Sequence, residues 1–222
     1  MDIKLGGAVD LTHTIREGMT AYVGDPAPRV VRVKELSSDG VNLSKVEMGV
    51  HTGTHVDAPL HFVRDGLPVD RLPPEQFVGE AAVLDLSALE PGTEISPKDL
   101  EPHLGEVRKG DIVLLYTGMS LHWDEEWART NFTCLGNDAA MLLVRRGARA
   151  VGIDYMSIDR YGSDHATHKT LLGNGVPIIE SLGSGLRGLA GRRALLVCLP
   201  LRLGGCDGSP ARALAYPLEA QA

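Results

Sequence analysis

The sequence predicts a mixed α/β domain. Three observations carry that prediction. Apolar runs of strand length recur between Arg29 and Leu199, two segments have clear helix-start or helix-stop signals, and turn residues punctuate the chain between them. Gly 26 and Pro 13 in 222 residues stand somewhat above average usage, which fits short elements and many turns.

Residues 29–35 and 41–50 read as strands joined by the polar turn Ser37-Ser38-Asp39-Gly40. Ala81 to Leu86 is a further strand. Ser96 is an N-cap with Pro97 at the first helical position, and this short helix ends near Leu104-Gly105. Lys109-Gly110 turns into a buried strand, Asp111 to Tyr116. A second helix starts near Asn137, carries Ala139, Ala140, Leu142, Leu143 and Val144, and stops at Gly147. It feeds the strand Ala150 to Ile153, and Val176 to Glu180 and Ala194 to Leu199 complete the set. The helices are too few and too short for a doubly wound sheet or for a β/α barrel of roughly 250 residues. The pattern by itself leaves the topology open. No repeat, charge block or low-complexity linker divides the chain, so residues 1–222 are read as one domain.

Composition narrows the function classes. With 43% hydrophobic residues the chain can fill a sizeable core. The formal net charge is −7 and the basic residues are scattered, which excludes the basic stripe of a nucleic-acid binder. Cys134, Cys198 and Cys206 are odd in number and lack CxxC spacing, so no disulfide framework is expected; Cys198 sits in an apolar run as a small core residue. The start Met1-Asp2-Ile3-Lys4 has no apolar stretch of signal-peptide length, and no segment approaches the roughly 20 apolar residues of a membrane span. The cytoplasm is the expected location, without a membrane partner.

The chemistry is concentrated in His51-Thr52-Gly53-Thr54-His55-Val56-Asp57-Ala58-Pro59-Leu60-His61. Gly53, the β-branched residues and Pro59 disfavour a helix, which would also turn Asp57 nearly opposite to His55. In an extended strand His51, His55, Asp57 and His61 share one face, while Val56, Leu60 and Phe62 face the core. A straight strand would separate His51 from His55 by about 13 Å, too far to share a metal at ligand distances near 2 Å. The chain must bend, and Gly53 is the residue that permits it. The motif is therefore expected on a strand end that curls into a loop. Burying four such polar groups without a metal or a reaction would leave several of them needing partners at once.

His-x-Gly-Thr-His-x-Asp-x-Pro-x-His resembles the signature of the metal-dependent cyclase-like hydrolases, the family of bacterial-type kynurenine formamidases and isatin hydrolases. The resemblance runs nearly end to end: Asp10-Leu11-Thr12-His13, Gly24-Asp25-Pro26, Thr117-Gly118, residues 152–159, the stretch from His168 to Glu180, and Asp207-Gly208-Ser209-Pro210 with Arg212 occur in the family's order. It implies a curved, barrel-like mixed sheet flanked by short helices, in a homodimer or homotetramer whose neighbour can help close the pocket. It implies one or two Zn or Mn ions per chain, a first held by His51, His55, Asp57 and Glu180, a second by Asp57, His168 and Glu180. His61 would be the proton shuttle. His165 is expected to be incidental or to support the ligands, and Asp154 and Asp159 to be structural. Kynurenine formamidases of this type carry a tryptophan just before the Pro-Gly-Asp of the opening motif; here the segment reads Tyr22-Val23-Gly24-Asp25, with Tyr22 placed to stack on a substrate ring.

Imidazole and carboxylate ligands without thiolate suit a catalytic Zn or Mn site on chemical grounds alone. The expected activity is hydrolysis of an amide carbonyl in a small molecule, an aryl formamide such as N-formylkynurenine, with opening of a cyclic amide or lactone as the alternative. A dinucleotide-binding oxidoreductase is the distant rival, because residues 183–188 spell GxGxxG and Asp207 follows about 20 residues on. The helix there would be too short for a βαβ crossover. A serine hydrolase needs a GxSxG elbow, which the chain lacks. A non-catalytic metal sensor would have no use for His61.

Overall fold

The computed structural model describes residues 7–218. Strand β1 (Val9–Asp10) is followed by a hairpin of β2 (Arg29–Lys34) and β3 (Leu43–Glu47). The hairpin's connection, expected as a simple turn, is one helical turn, α1 (Leu36–Asp39), closed by Gly40 at φ 71°. Next come β4 (His55–Asp57), β5 (Val78–Asp85) and β6 (Glu94–Ile95). Helix α2 (Pro97–Leu100) begins where expected, with the Ser96 N–H and hydroxyl both donating to Asp99. It is shorter than expected because it passes into a 3₁₀ turn, Glu101–His103, around Pro102, which cannot donate to a helical ladder. Then follow β7 (Ile112–Tyr116), β8 (Cys134–Leu135), α3 (Asn137–Arg146), β9 (Ala150–Ile153), α4 (Ala166–Gly173), β10 (Ile178–Glu180), β11 (Arg193–Pro200) and β12 (Gly208–Pro217).

The main sheet has the order β1-β12-β11-β5-β7-β9-β10-β4, and β12 also pairs with β4. That last pairing closes the strands from β12 round to β4 into a barrel with both parallel and antiparallel ladders. Side-chain alternation then assigns the faces. Val56, Val83, Leu114, Ile179, Leu196 and Ala213 point into one core, the barrel interior. Leu84, Val113, Val151 and Ile178 point outward and pack beneath Leu100, Leu143 and Leu171 of the helices. Because Val56 and Ile179 face in, His55, Asp57 and Glu180 face out, on the helix-covered side.

The two-residue strands β1, β6 and β8 were not read from the sequence, and neither were two longer elements that bear on the site. Strand β12 has Pro210 within it and alternates Ala211, Ala213 and Ala215 toward the interior, a composition of low strand propensity. Helix α4 has no capping residue of its own, since His165 occupies the N-cap at φ 59°. Asp159 caps it from outside, accepting from the Thr167 and His168 backbone N–H groups at 3.1 and 2.9 Å. The GxGxxG of residues 183–188 forms a 3₁₀ segment leading into β11, which is antiparallel to both its neighbours, so it opens no βαβ unit. Gly185 is needed for packing, because a Cβ there would come 2.5 Å from the Asp10 carbonyl oxygen. The cysteines are free, and burial pushes the Cys198 thiol up to about 12. Among the described residues no helix is long and apolar enough to cross a membrane.

Candidate metal centre

The motif of residues 51–61 is split over three local structures. His51 lies in a turn that reverses at Gly53, whose φ of 63° supplies the expected bend. Only His55–Asp57 is strand, and Pro59–His61 is a 3₁₀ turn that brings the His61 ring back over the site. Phe62, expected in the core, packs against the helix-side core and also lines the cavity, its ring 4.4 Å from the His61 ring, because the 3₁₀ turn breaks the strand alternation.

Strand pairing sets the rest. Glu180 is the register partner of His55, so the two stand side by side on the outer face, and His168 is lowered onto them by α4. The Asp57 carboxylate is fully buried at the centre. Its Oδ1 lies 2.7 Å from His51 Nδ1 and 3.2 Å from His55 Nε2. Its Oδ2 is buried without a hydrogen-bond partner among the described residues, with His168 Nε2 3.4 Å away. Glu180 offers Oε1 to His168 Nε2 at 3.2 Å and Oε2 to His55 Nε2 at 3.6 Å. His51, His55, Asp57, His168 and Glu180 thus converge on one volume.

The remaining ring nitrogens are held from behind. His55 Nδ1–H donates to the Gly53 carbonyl at 2.7 Å, and His168 Nδ1–H donates to Asp159 at 2.5 Å, so each turns Nε2 toward Asp57. Asp159 therefore both caps α4 and aims His168. Asp154 has the structural place expected: it accepts from the Thr117 N–H and hydroxyl and from the Gly118 N–H, tying that loop down. Asp207, which no motif singled out for this site, accepts from His51 Nε2 at 2.9 Å and from His61 Nδ1 at 3.2 Å.

The electrostatics report a surplus of negative charge. Burial pushes His51 down, but hydrogen bonds and charge from Asp57 and Asp207 outweigh it and bring the ring up to about 9. Burial likewise opposes protonation of His168, and Asp159, Asp57 and Glu180 overcome it and raise it well above the usual range. Burial would raise Asp57, yet His168 and His51 hold it far below an ordinary carboxylate. His61 behaves differently: burial dominates and keeps it below the ordinary histidine value. A buried carboxylate with an unbonded oxygen, ringed by imidazoles and a second carboxylate, is a donor set that fits a cation.

Above this cluster lies a cavity of about 170 Å³ walled by Tyr22, Phe62, Trp123, Met156 and His165. Trp123 was not among the expected pocket residues; it stacks on His13 at 3.8 Å and arrives from the 3₁₀ segment after Gly118. His165 rests against Phe62 and borders the cavity with one ring nitrogen that has no partner among the described residues, without reaching the Asp57 cluster as closely as His168 does.

Residues 9–160 match the family model described as putative cyclase. A kynurenine formamidase of Bacillus cereus is 35% identical over 219 residues, covering 97% of this chain and 100% of its own length. A solved structure from Bacillus stearothermophilus, described as a predicted metal-dependent hydrolase, aligns over 95% of this chain and 98% of its own with 36% identity and a TM-score of 0.80. Isatin hydrolase A from Ralstonia solanacearum aligns over 96% of this chain and 92% of its own, with 25% identity and a TM-score of 0.85.

Proposed function

We propose that this chain, which belongs to the cyclase family, hydrolyses the amide bond of an aryl formamide such as N-formylkynurenine. It is a metal-dependent amide hydrolase by kinship. The observation that carries the finer reading is the convergence of three imidazoles and Glu180 around buried Asp57, His51 and His55 toward Oδ1 and His168 toward the unbonded Oδ2, beneath a small cavity with aromatic walls.

The donor set fits Zn or Mn, one or two ions per chain. A first ion would be held by His51, His55, Asp57 and Glu180, a second by Asp57, His168 and Glu180. Such ions supply an activated water and a polarised carbonyl. The protein's own groups do the rest. Asp159 and the Gly53 carbonyl keep His168 and His55 aimed. Tyr22, Phe62 and Trp123 hold the aromatic ring of the substrate and keep bulk water from the carbonyl. His61, neutral at rest and half-buried beside the cavity, takes the proton released by the attacking water and returns it to the departing nitrogen.

Metal-loaded protein assayed against N-formylkynurenine, isatin and a small lactone panel tests the substrate class. Turnover is expected to be fastest on the formamide, and Tyr22→Ala should raise KM more than it lowers kcat, since stacking on the ring is binding common to ground and transition states. Negligible activity on every aryl formamide, with good turnover of a cyclic amide or lactone, would move the assignment to the reaction that isatin hydrolase is named for.

We also propose a homodimer or homotetramer. The β2–β3 hairpin is exposed at every strand position, and its apolar residues Val30, Val31, Val33, Leu36, Leu43 and Val46 all face solvent in the single chain. A two-stranded ribbon is marginal on its own, and an apolar patch of this kind is the mark of an interface. Sedimentation at micromolar concentration should give a dimer or tetramer; a monomer throughout would refute the assembly while leaving the site untouched.

A further inference from the structure

We propose that Asp207 is a positioning residue that sets the tautomer and direction of the His61 ring, through an oxygen that also contacts His51. The inference rests on the proton-shuttle reading of His61 given above. One atom, Asp207 Oδ2, lies 2.9 Å from His51 Nε2 and 3.2 Å from His61 Nδ1. The two rings stack over each other at 4.0 Å with 29° between their planes. A carboxylate can only accept, so each ring must present an N–H to it. For His61 this puts the proton on Nδ1 and leaves the Nε2 lone pair as the basic position, the form a proton acceptor needs. When His61 takes up a proton on Nε2, the imidazolium that results already has a carboxylate against its other side.

The placement of Asp207 comes from the sheet rather than from a free loop. The Asp207 carbonyl accepts from the Ala58 N–H at 2.8 Å, and the next residue, Gly208, is the register partner of Asp57 at the start of β12. Gly208 admits no larger residue: a Cβ there would sit 2.7 Å from the His51 ring and 2.8 Å from the Val56 carbonyl oxygen. The seam that closes the barrel therefore delivers this carboxylate between the two histidines. The Phe62 ring meets the His61 ring in a T-shaped contact at 4.4 Å and offers it no hydrogen bond, which leaves Asp207 to choose the tautomer.

A double-mutant cycle tests this, with metal content measured on every protein. Asp207→Ala, and Asp207→Asn as the variant that keeps the side chain's volume, should each lower kcat by about 10- to 100-fold with KM and bound metal nearly unchanged. In a His61→Asn background the same changes should cost nothing more, because the group that Asp207 positions is gone. Apart from turnover, histidine ¹⁵N shifts should report His61 as the Nδ1–H tautomer in the unaltered protein and a redistributed proton in Asp207→Ala. An equal loss from Asp207→Ala in both backgrounds, or a loss that follows departing metal, would show that Asp207 acts through His51 or through the fold, and would overturn the inference. If His61→Asn loses activity while both Asp207 variants retain it, the inference falls and the reading of His61 stands. If His61→Asn is fully active, both fall together.

Discussion

His61→Asn should keep its fold and its metal and lose kcat by roughly 10²- to 10⁴-fold, with KM little changed, the usual contribution of a positioned histidine to proton transfer. The expectation follows from where Pro59 sends the chain. The 3₁₀ turn lifts His61 above the Asp57 cluster, its Nδ1 is taken by Asp207, and its ring borders the cavity. Burial keeps the ring neutral near pH 7, so it can accept a proton. An amide with a poor leaving group should suffer more than an activated ester, whose leaving group needs little help from an acid. The metal assay is a real test, because ligand atoms of Asp57, His61 and His168 all lie within 4.8 Å of one another. Loss of metal in His61→Asn would make His61 a ligand. Retention of both metal and full activity would assign proton transfer to another group.

Asp57→Ala should lose more metal than His168→Ala, as measured by metal content after identical purification. Asp57 turns one carboxylate oxygen toward His51 and His55 and the other toward His168, so its removal strips a donor from both proposed positions. It also removes the charge that raises His51 and His168, leaving imidazoles with fewer partners in a buried place. His168 turns only Nε2 to the cluster, its Nδ1 being committed to Asp159. Equal losses, or full occupancy in Asp57→Ala, would contradict the assignment of Asp57 to both positions.

How much of this was legible in the sequence depends on how local each cause is. The helix from Asn137 to Gly147 and the strand at Ala150–Ile153 were readable because period, cap and stop signals lie within the segment itself. So was the bend at Gly53, since the distance between His51 and His55 demanded one and only glycine was at hand. The residues of the metal cluster could be named in advance because their chemistry is packed into one stretch, with His168 and Glu180 following from the family resemblance. Helix α4 was missed because its capping group, Asp159, lies outside it. Asp207 and Trp123 were missed as members of the site for a related reason. Their partners are 146 and 110 residues away along the chain, so no window of sequence contains both halves of the contact.

The pairing of β12 with β4 has a consequence for the timing of assembly. The residues that close the barrel, Gly208 to Pro210, follow every other described strand of the sheet in the chain, and they pair with strand residues made some 150 positions earlier. Contacts of such separation form late, after the loop-closure entropy of the intervening chain has been met. His51, His55 and Asp57 thus emerge from the ribosome long before the strand that encloses them. Until β12 docks, the strand that carries His55 and Asp57 is an open sheet edge. Completion of the centre is accordingly tied to the docking of β12, and a chain that stops short of Gly208 carries nearly the whole cluster without the seam that shapes it.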